Sequence, residues 1–409
     1  MKRLMAAILI ICFCLSSCGY MKSGEEDVAF FEGKDDRLSF EVLGEREVNE
    51  TPFRRFVWIS YLDLRSIISA DREKTNENAE KMCQNILKIK TTDVFLQVRA
   101  FGDAIYNSDY FISANNTVYS DYSSEIDYFE ILLELLHSYG IKVHAWVNPY
   151  RLSDSQSEEN SQFIKSLTEK DVLSVIEYND GISLNPANDT AKELIISGID
   201  EILNGYDVDG IHFDDYFYPT TDAEYDENTY ERFIENGGMM SLDDFRRDNV
   251  SRLVAAVYER VKQKDASIEF GISPDASLSR DFSMHYANVE LWCNAEGYID
   301  YICPQIYFGF ENESMPFSST LGDWARVCGS CDLFVGLSFY KAGSEDIFAG
   351  SGSDEWTKSF DIISRQYIES DANGACKGVA LYRYNSLFNP SEETASYAAV
   401  EMYNLQKVI

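Results

Sequence analysis

The strongest constraint on this chain is a repeated alternation. Eight short apolar runs of strand character follow one another, and most neighbouring pairs are separated by a stretch with helical spacing. The runs are Phe56–Tyr61, Val94–Ala100, Lys142–Asn148, Val208–Phe213, Glu269–Ser273, Tyr301–Tyr307, Phe334–Tyr340 and Gly378–Tyr384. Helical periodicity covers Thr75–Ile89, Ile126–Tyr139, Ala191–Leu203, Leu242–Gln263 and Trp356–Ser370. Eight strands with helices between most of them predict an α/β chain whose parallel strands close into a TIM-type (β/α)8 barrel. A doubly wound open sheet shares the alternation, but no Gly-rich phosphate turn follows the first run. A length of 409 residues suits one such barrel over 51–405 with long βα loops, the longest being 102–125, 149–180 and 217–241.

The fourth run ends in two carboxylates, Asp207-Val208-Asp209-Gly210-Ile211-His212-Phe213-Asp214-Asp215-Tyr216-Phe217-Tyr218-Pro219. Side chains alternate along a strand, so Gly210, His212 and Asp214 share one face and Ile211, Phe213 and Asp215 the other. Turning the apolar set toward the helices makes Asp214 the inward carboxylate, with His212 one layer below. Asp215 falls where the strand frays into loop. In a barrel this is the C-terminal face, where the chemistry sits.

Alternation also nominates the neighbouring strand tips. Gln97 and Arg99 are expected to point inward from the second run, with Arg99 serving a substrate carboxylate, a catalytic Asp or a structural ion pair. His144, Trp146 and Asn148 climb one face of the third run, and Arg151 follows. Gln305 and Tyr307 share a face with Cys303 in the sixth. Tyr61 closes the first run and Tyr340 the seventh, while Tyr216 begins the loop after the Asp pair. The eighth offers either Arg383 and Asn385 or Tyr382 and Tyr384. Candidate partners for Asp214 are Asp215, Asp63, Asp103, Asp275 and Glu311, each near a strand tip.

Several function classes drop out. A formal charge of −34 disfavours nucleic acid, whose binding depends on neutralising phosphates. Four histidines in no metal-ligand pattern, and no Gly-x-Ser-x-Gly elbow, leave neither a metal site nor a cofactor to expect. Carboxylates, amides and aromatics remain, the kit for glycoside hydrolysis: one carboxylic acid protonates the leaving oxygen and a second carboxylate attacks the anomeric carbon or activates water.

The N-terminus sets the expected compartment. Met1-Lys2-Arg3 precedes an apolar run from Leu4 to Leu15, too short to span a bilayer comfortably. Leu15-Ser16-Ser17-Cys18 matches a bacterial lipobox, which implies cleavage of a signal peptide over 1–17 and lipidation of Cys18. Residues 18–50 then read as an acidic tether, with a short edge strand around Leu38–Leu43. Six cysteines remain beyond Cys18. Cys328-Gly329-Ser330-Cys331 has redox-motif spacing but no second Cys pair or nearby His, so free thiols or a local bridge are expected there.

Five phrases together resemble the glycosyl hydrolase-like 10 family, known also as domain of unknown function 187. They are Phe56–Tyr61, Phe95–Arg99, Ala145–Tyr150, Val208–Pro219 and Tyr298–Tyr307. The resemblance runs from about Arg55 to Tyr384. It implies a TIM-type barrel in an extracytoplasmic, often lipoprotein, setting, acting on peptidoglycan glycan stripped of stem peptides. The fourth run is also similar to the α-amylase-like Asp-Gly-x-Arg-x-Asp, whose nucleophile falls on Asp214. The chitinase-like Asp-Gly-x-Asp-x-Asp-x-Glu would place its Glu on Tyr216, so that mechanism does not carry over. A glycan-binding lipoprotein without turnover, or an exported hydrolase of dietary or host polysaccharide, are the rival expectations.

Overall fold

The computed structural model describes residues 28–31, 39–42, 52–114, 119–153, 158–178 and 181–409. They fall in two compact units divided at Thr51. In the first, Val28–Phe31 pairs antiparallel with Ser39–Val42, so the expected strand near 38–43 is present with a partner. Cys18 and the expected signal peptide lie outside the described residues.

The second unit, Pro52–Ile409, is a closed parallel barrel. Its strands are β1 (Arg54–Ile59), β2 (Asp93–Arg99), β3 (Lys142–Val147), β4 (Gly210–Phe213), β5 (Glu269–Ile272), β6 (Tyr301–Ile302), β7 (Asp332–Leu337) and β8 (Cys376–Leu381). Each pairs with its neighbour in sequence, and β8 closes on β1. The helices following the strands in turn are α1 (Arg72–Leu87), α2 (Tyr128–Ser138), α3 (Asp189–Gly205), α4 (Leu242–Lys264), α5 (Val289–Asn294), α6 (Phe317–Val327), α7 (Ile362–Ala372) and α8 (Ala395–Val408). The last helix passes the expected end at 405. The sixth strand is far shorter than its apolar run, because Pro304 lacks the N–H that would continue the ladder. The 149–180 stretch, expected as loop, carries helix Glu158–Lys170 and two strands, Arg151–Ser153 and Val175–Tyr178, of a small antiparallel sheet that Gly181–Leu184 completes just beyond it.

Two cores follow from strand alternation. Outward residues such as Val57, Ile59, Val94, Leu96, Val143 and Ile211 pack with the helices. Inward residues Phe56, Trp58, Phe95, Trp146, Tyr301, Cys303 and Phe334 fill the barrel. Bulk on one strand demands its absence on the next: a Cβ at Gly210 would meet His144 Nδ1 at 2.2 Å, and one at Gly271 would meet the Tyr301 ring at 2.1 Å.

The barrel floor is polar but saturated. Arg54 donates to Asp93 at 2.5 and 3.2 Å and to Glu269 at 2.8 and 2.9 Å. His144 Nε2 lies 3.2 Å from the same guanidinium. Burial alone would raise the Asp93 carboxyl; hydrogen bonds from His144 and Arg54 outweigh it and hold Asp93 well below the usual carboxylate range.

Candidate active site

At the other end of the barrel, β4 delivers Asp214 and Asp215 into a cavity of about 280 Å³. Asp214 is 2% exposed. Its Oδ2 accepts from Asn148 Nδ2 at 2.5 Å and Trp146 Nε1 at 3.2 Å, and its Oδ1 from the Tyr216 backbone N–H at 3.3 Å. Asn148 is itself fixed: its Oδ1 accepts from Gln97 at 2.6 Å, and Gln97 Oε1 accepts from the Tyr61 N–H at 2.8 Å. Asp215 is half-buried. Burial pushes its carboxyl up and Asp275 adds to the shift, while His285 and Gln305 oppose it. Burial likewise raises Asp214, reinforced by the Asp215 charge. Two like charges this close resist joint ionisation and hold a proton between them. Both Asp214 oxygens accept from N–H groups and Gln305 holds Asp215, so the proton is shared by the pair.

Opposite the carboxylates stands an aromatic cup. Trp58 meets Tyr382 at 5.7 Å and Tyr307 at 6.3 Å between ring centroids. Tyr340 meets both tyrosines at 5.9 Å. Ser273 and Gln305 supply the remaining polar lining. At the rim, the Arg151 guanidinium lies over Phe101 at 4.3 Å and Tyr216 at 5.1 Å, and Tyr61 packs edge-on against Phe101 at 5.3 Å. The loop after β4 is anchored from below: Tyr218 donates to Asp226 at 3.1 Å, and the buried Arg246 grips the same carboxylate at 2.5 and 3.1 Å. A larger cavity of about 410 Å³ beside Ile176–Tyr178 and 219–225 has only exposed acids, Glu177, Asp222 and Glu224.

Of the residues nominated by sequence, Asp214, Asp215, Trp146, Tyr216, Gln305, Tyr307 and Tyr340 line the cavity together. Tyr61 and Arg151 stand at its rim, and Asn148 supports Asp214 from beneath. Four other nominated residues do not line the cavity. Arg99 points out of the barrel: the β2–β3 register shifts between Gln97 and Arg99, and the extra residue turns Arg99 toward Phe111, 4.0 Å from its guanidinium, and toward Gly198 on α3. His144 belongs to the floor, bonded to Tyr301 Oη at 3.0 Å. His212 is fully buried one layer below the mouth, between Tyr301 Oη at 3.1 Å and Ser273 Oγ at 3.0 Å, and burial holds it neutral. Arg383 pairs with Asp63 at 2.7 Å, which leaves Tyr382 as the inward residue of the eighth tip.

Other candidate partners for Asp214 are also accounted for. Asp63 is taken by Ser60, Arg383 and Asn385. Asp275 faces Arg280 at 3.3 Å and caps Ser277. Neither Asp103 nor Glu311 lines the cavity. Trp58 and Ser273 were not singled out from sequence as site residues, and Tyr382 only as one of two alternatives at the eighth tip. Trp58 shares its inward face with Phe56, so alternation could have found it.

A solved structure similar in fold is the glycoside hydrolase domain of PgaB (BpsB) from Bordetella bronchiseptica, with TM-score 0.57, 14% identity and coverage of 86% of this chain and 99% of that one. The catalytic domain of a β-amylase from Paenibacillus polymyxa gives TM-score 0.56 at 9% identity, covering 87% and 99%. Among curated proteins, glycosyl hydrolase DigH of Escherichia coli K12 is 27% identical over 369 residues, 82% of each chain. Glycosyl hydrolase YngK of Bacillus subtilis is 27% identical over 342 residues, 76% of this chain and 65% of that protein. The sequence model of the glycosyl hydrolase-like 10 family matches residues 54–349, most of the barrel, and the chain therefore belongs to that family and is a glycoside hydrolase.

Proposed function

We propose that this enzyme is anchored outside the cytoplasm by a lipid on Cys18 and cleaves N-acetylated cell-wall glycan, specifically peptidoglycan strands that have lost their stem peptides. The observation that carries the reading is the adjacent carboxylate pair facing an aromatic cup. Asp215 holds the proton and passes it to the glycosidic oxygen as its bond to the anomeric carbon breaks; water then adds to that carbon and returns a proton to Asp215. Asp214, ionised and clamped by Asn148, Trp146 and the Tyr216 N–H, faces the positive charge that develops at the anomeric carbon. Trp58, Tyr307, Tyr340 and Tyr382 offer flat apolar faces to the sugar ring, and Gln305 and Ser273 offer hydrogen bonds to its hydroxyl or amide groups.

Charge supports the preference for bare strands. Stem peptides carry carboxylates. No Lys or Arg is among the described residues lining the cavity, and the chain has a formal charge of −34. Such a peptide would meet repulsion with nothing in the cavity to neutralise it. The anchor rests on the basic Met1-Lys2-Arg3, the short apolar run and the lipobox ending at Cys18. No described helix is long and apolar enough to cross a membrane.

The test compares sugar release from peptidoglycan strands with and without stem peptides, using wild type and Asp214→Asn. Release from bare strands only, abolished by the substitution, is the expected result. Equal release from both kinds of strand removes the substrate assignment. Full turnover by a folded Asp214→Asn protein removes the catalytic one.

A further inference from the structure

The Cys328-Gly329-Ser330-Cys331 turn has no metal-site partner nearby in sequence, yet the fold supplies one. Cys293, on α5, is brought against the turn, and the three sulfur atoms lie within 4.8 Å of one another. Cys293 is fully buried, and Cys328 and Cys331 are half-buried.

The cluster is held by contacts that do not involve the sulfurs. The Cys293 carbonyl accepts from the Ser330 N–H at 2.9 Å and from Ser330 Oγ at 2.8 Å. Asn294 Nδ2 donates to the Val327 carbonyl at 2.9 Å. Gly329 lies so close to α5 that a Cβ there would meet Asn294 Oδ1 at 2.3 Å. The turn and the helix are therefore locked face to face with their thiols converging.

We propose that Cys293, Cys328 and Cys331 bind a soft divalent cation of the zinc class through three thiolates, with the fourth position open to water. A zinc–sulfur bond of about 2.3 Å in tetrahedral geometry puts the sulfurs roughly 3.8 Å apart, inside the 4.8 Å within which all three lie. Binding releases the thiol protons to solvent, and the cation neutralises most of the charge the thiolates would otherwise bring together. A disulfide fits less well. Bridging Cys328 to Cys331 closes a very short loop, which constrains the unfolded chain little, and leaves the Cys293 thiol packed against the bond. Cys83, Cys303 and Cys376 are also buried free thiols, so the described chain does not rely on bridges for its core.

Placement decides the role. Cys331 immediately precedes β7 and Cys328 follows α6, so the site is at the N-terminal end of the strands, opposite Asp214 and Asp215. That end of a barrel serves stability. The cation would staple α5 to the α6–β7 turn.

The experiment uses the full chain, purified under thiol-reducing conditions. Its metal content is measured, and it is then stripped and titrated with Co²⁺ alone. The expected results are close to one zinc per chain and a sulfur-to-cobalt charge-transfer band that Zn²⁺ abolishes. Chelation should lower the unfolding midpoint by roughly 5 °C while leaving turnover below that midpoint unchanged. Cys331→Ser should lose the band; should that variant not fold, the wild-type titration decides the matter alone. Absence of the band in the reduced wild type overturns the proposal. So does a native chain whose mass shows two thiols joined within this cluster.

Discussion

The two ends of the barrel use charge in opposite ways. At the floor, Arg54 answers Asp93 and Glu269 with four hydrogen bonds, and His144 completes the layer. At the mouth, Asp214 and Asp215 face each other's charge, and burial raises both. The floor carboxylate Asp93 is held below its ordinary range; the mouth carboxylates are held above theirs. Polar residues inside a barrel are therefore not in themselves a sign of catalysis. What marks the mouth is polar groups left in a state that a substrate would relieve.

The sharpest way to break this contrast is to neutralise each end. Asp214→Asn and Asp215→Asn should each lower kcat by about 10²–10⁴-fold, while the unfolding midpoint at neutral pH holds or rises, because either change breaks up a buried pair that cannot both ionise. Turnover and thermal unfolding on the same preparations check both halves. Asp93→Asn should do the reverse: about 3–5 kcal/mol of stability lost, seen by denaturant unfolding, with turnover of the folded protein kept.

A pH series separates the ends next. Asp93 and Glu269 have folded-state pKa values below their unfolded ones, so the stability they contribute is present above the usual carboxylate range and lost as pH falls through it. Asp214 and Asp215 are raised, so theirs is present at low pH and lost as pH rises through the folded values. Asp93→Asn should blunt the loss of stability toward acid. Activity should fall on the alkaline side as Asp215 gives up its proton. An alkaline limb that does not depend on Asp215 would unseat it as the acid.

Smaller effects belong to the walls. Tyr382→Ala should raise KM about three- to tenfold by removing one face of the cup, with steady-state kinetics as the readout. Smallest is Arg99→Met. The three guanidinium nitrogens of Arg99 are buried with no hydrogen-bond partner, and burial pushes its pKa down to about 10. Kinetics on bare glycan strands should be unchanged; a loss of kcat would return Arg99 to the site.

Much of the site could be read from strand parity. Alternation placed Asp214 inward, with Trp146 and Asn148 on the neighbouring strand, because a barrel strand has only two faces and one of them must be apolar. Parity failed where the backbone broke the count. The register shift beside Val98 turned Arg99 outward, and the eighth tip offered two registers of which Tyr382 occupies the inward one. It gave depth for His212 alone. His144 and His212 do face inward, but their layers lie below the mouth and their nitrogens are used within the barrel.

Apolar periodicity already specifies the barrel, because eight strands alternating with helical stretches admit few other closed arrangements, and it marks the strand that carries the carboxylates. Which polar groups are spent on one another and which remain for a substrate is settled by how the strands and loops pack. That packing also brings Cys293 to the Cys328–Cys331 turn. Both depend on distances between segments far apart in the chain, and the local periodicity that shapes each segment does not encode them.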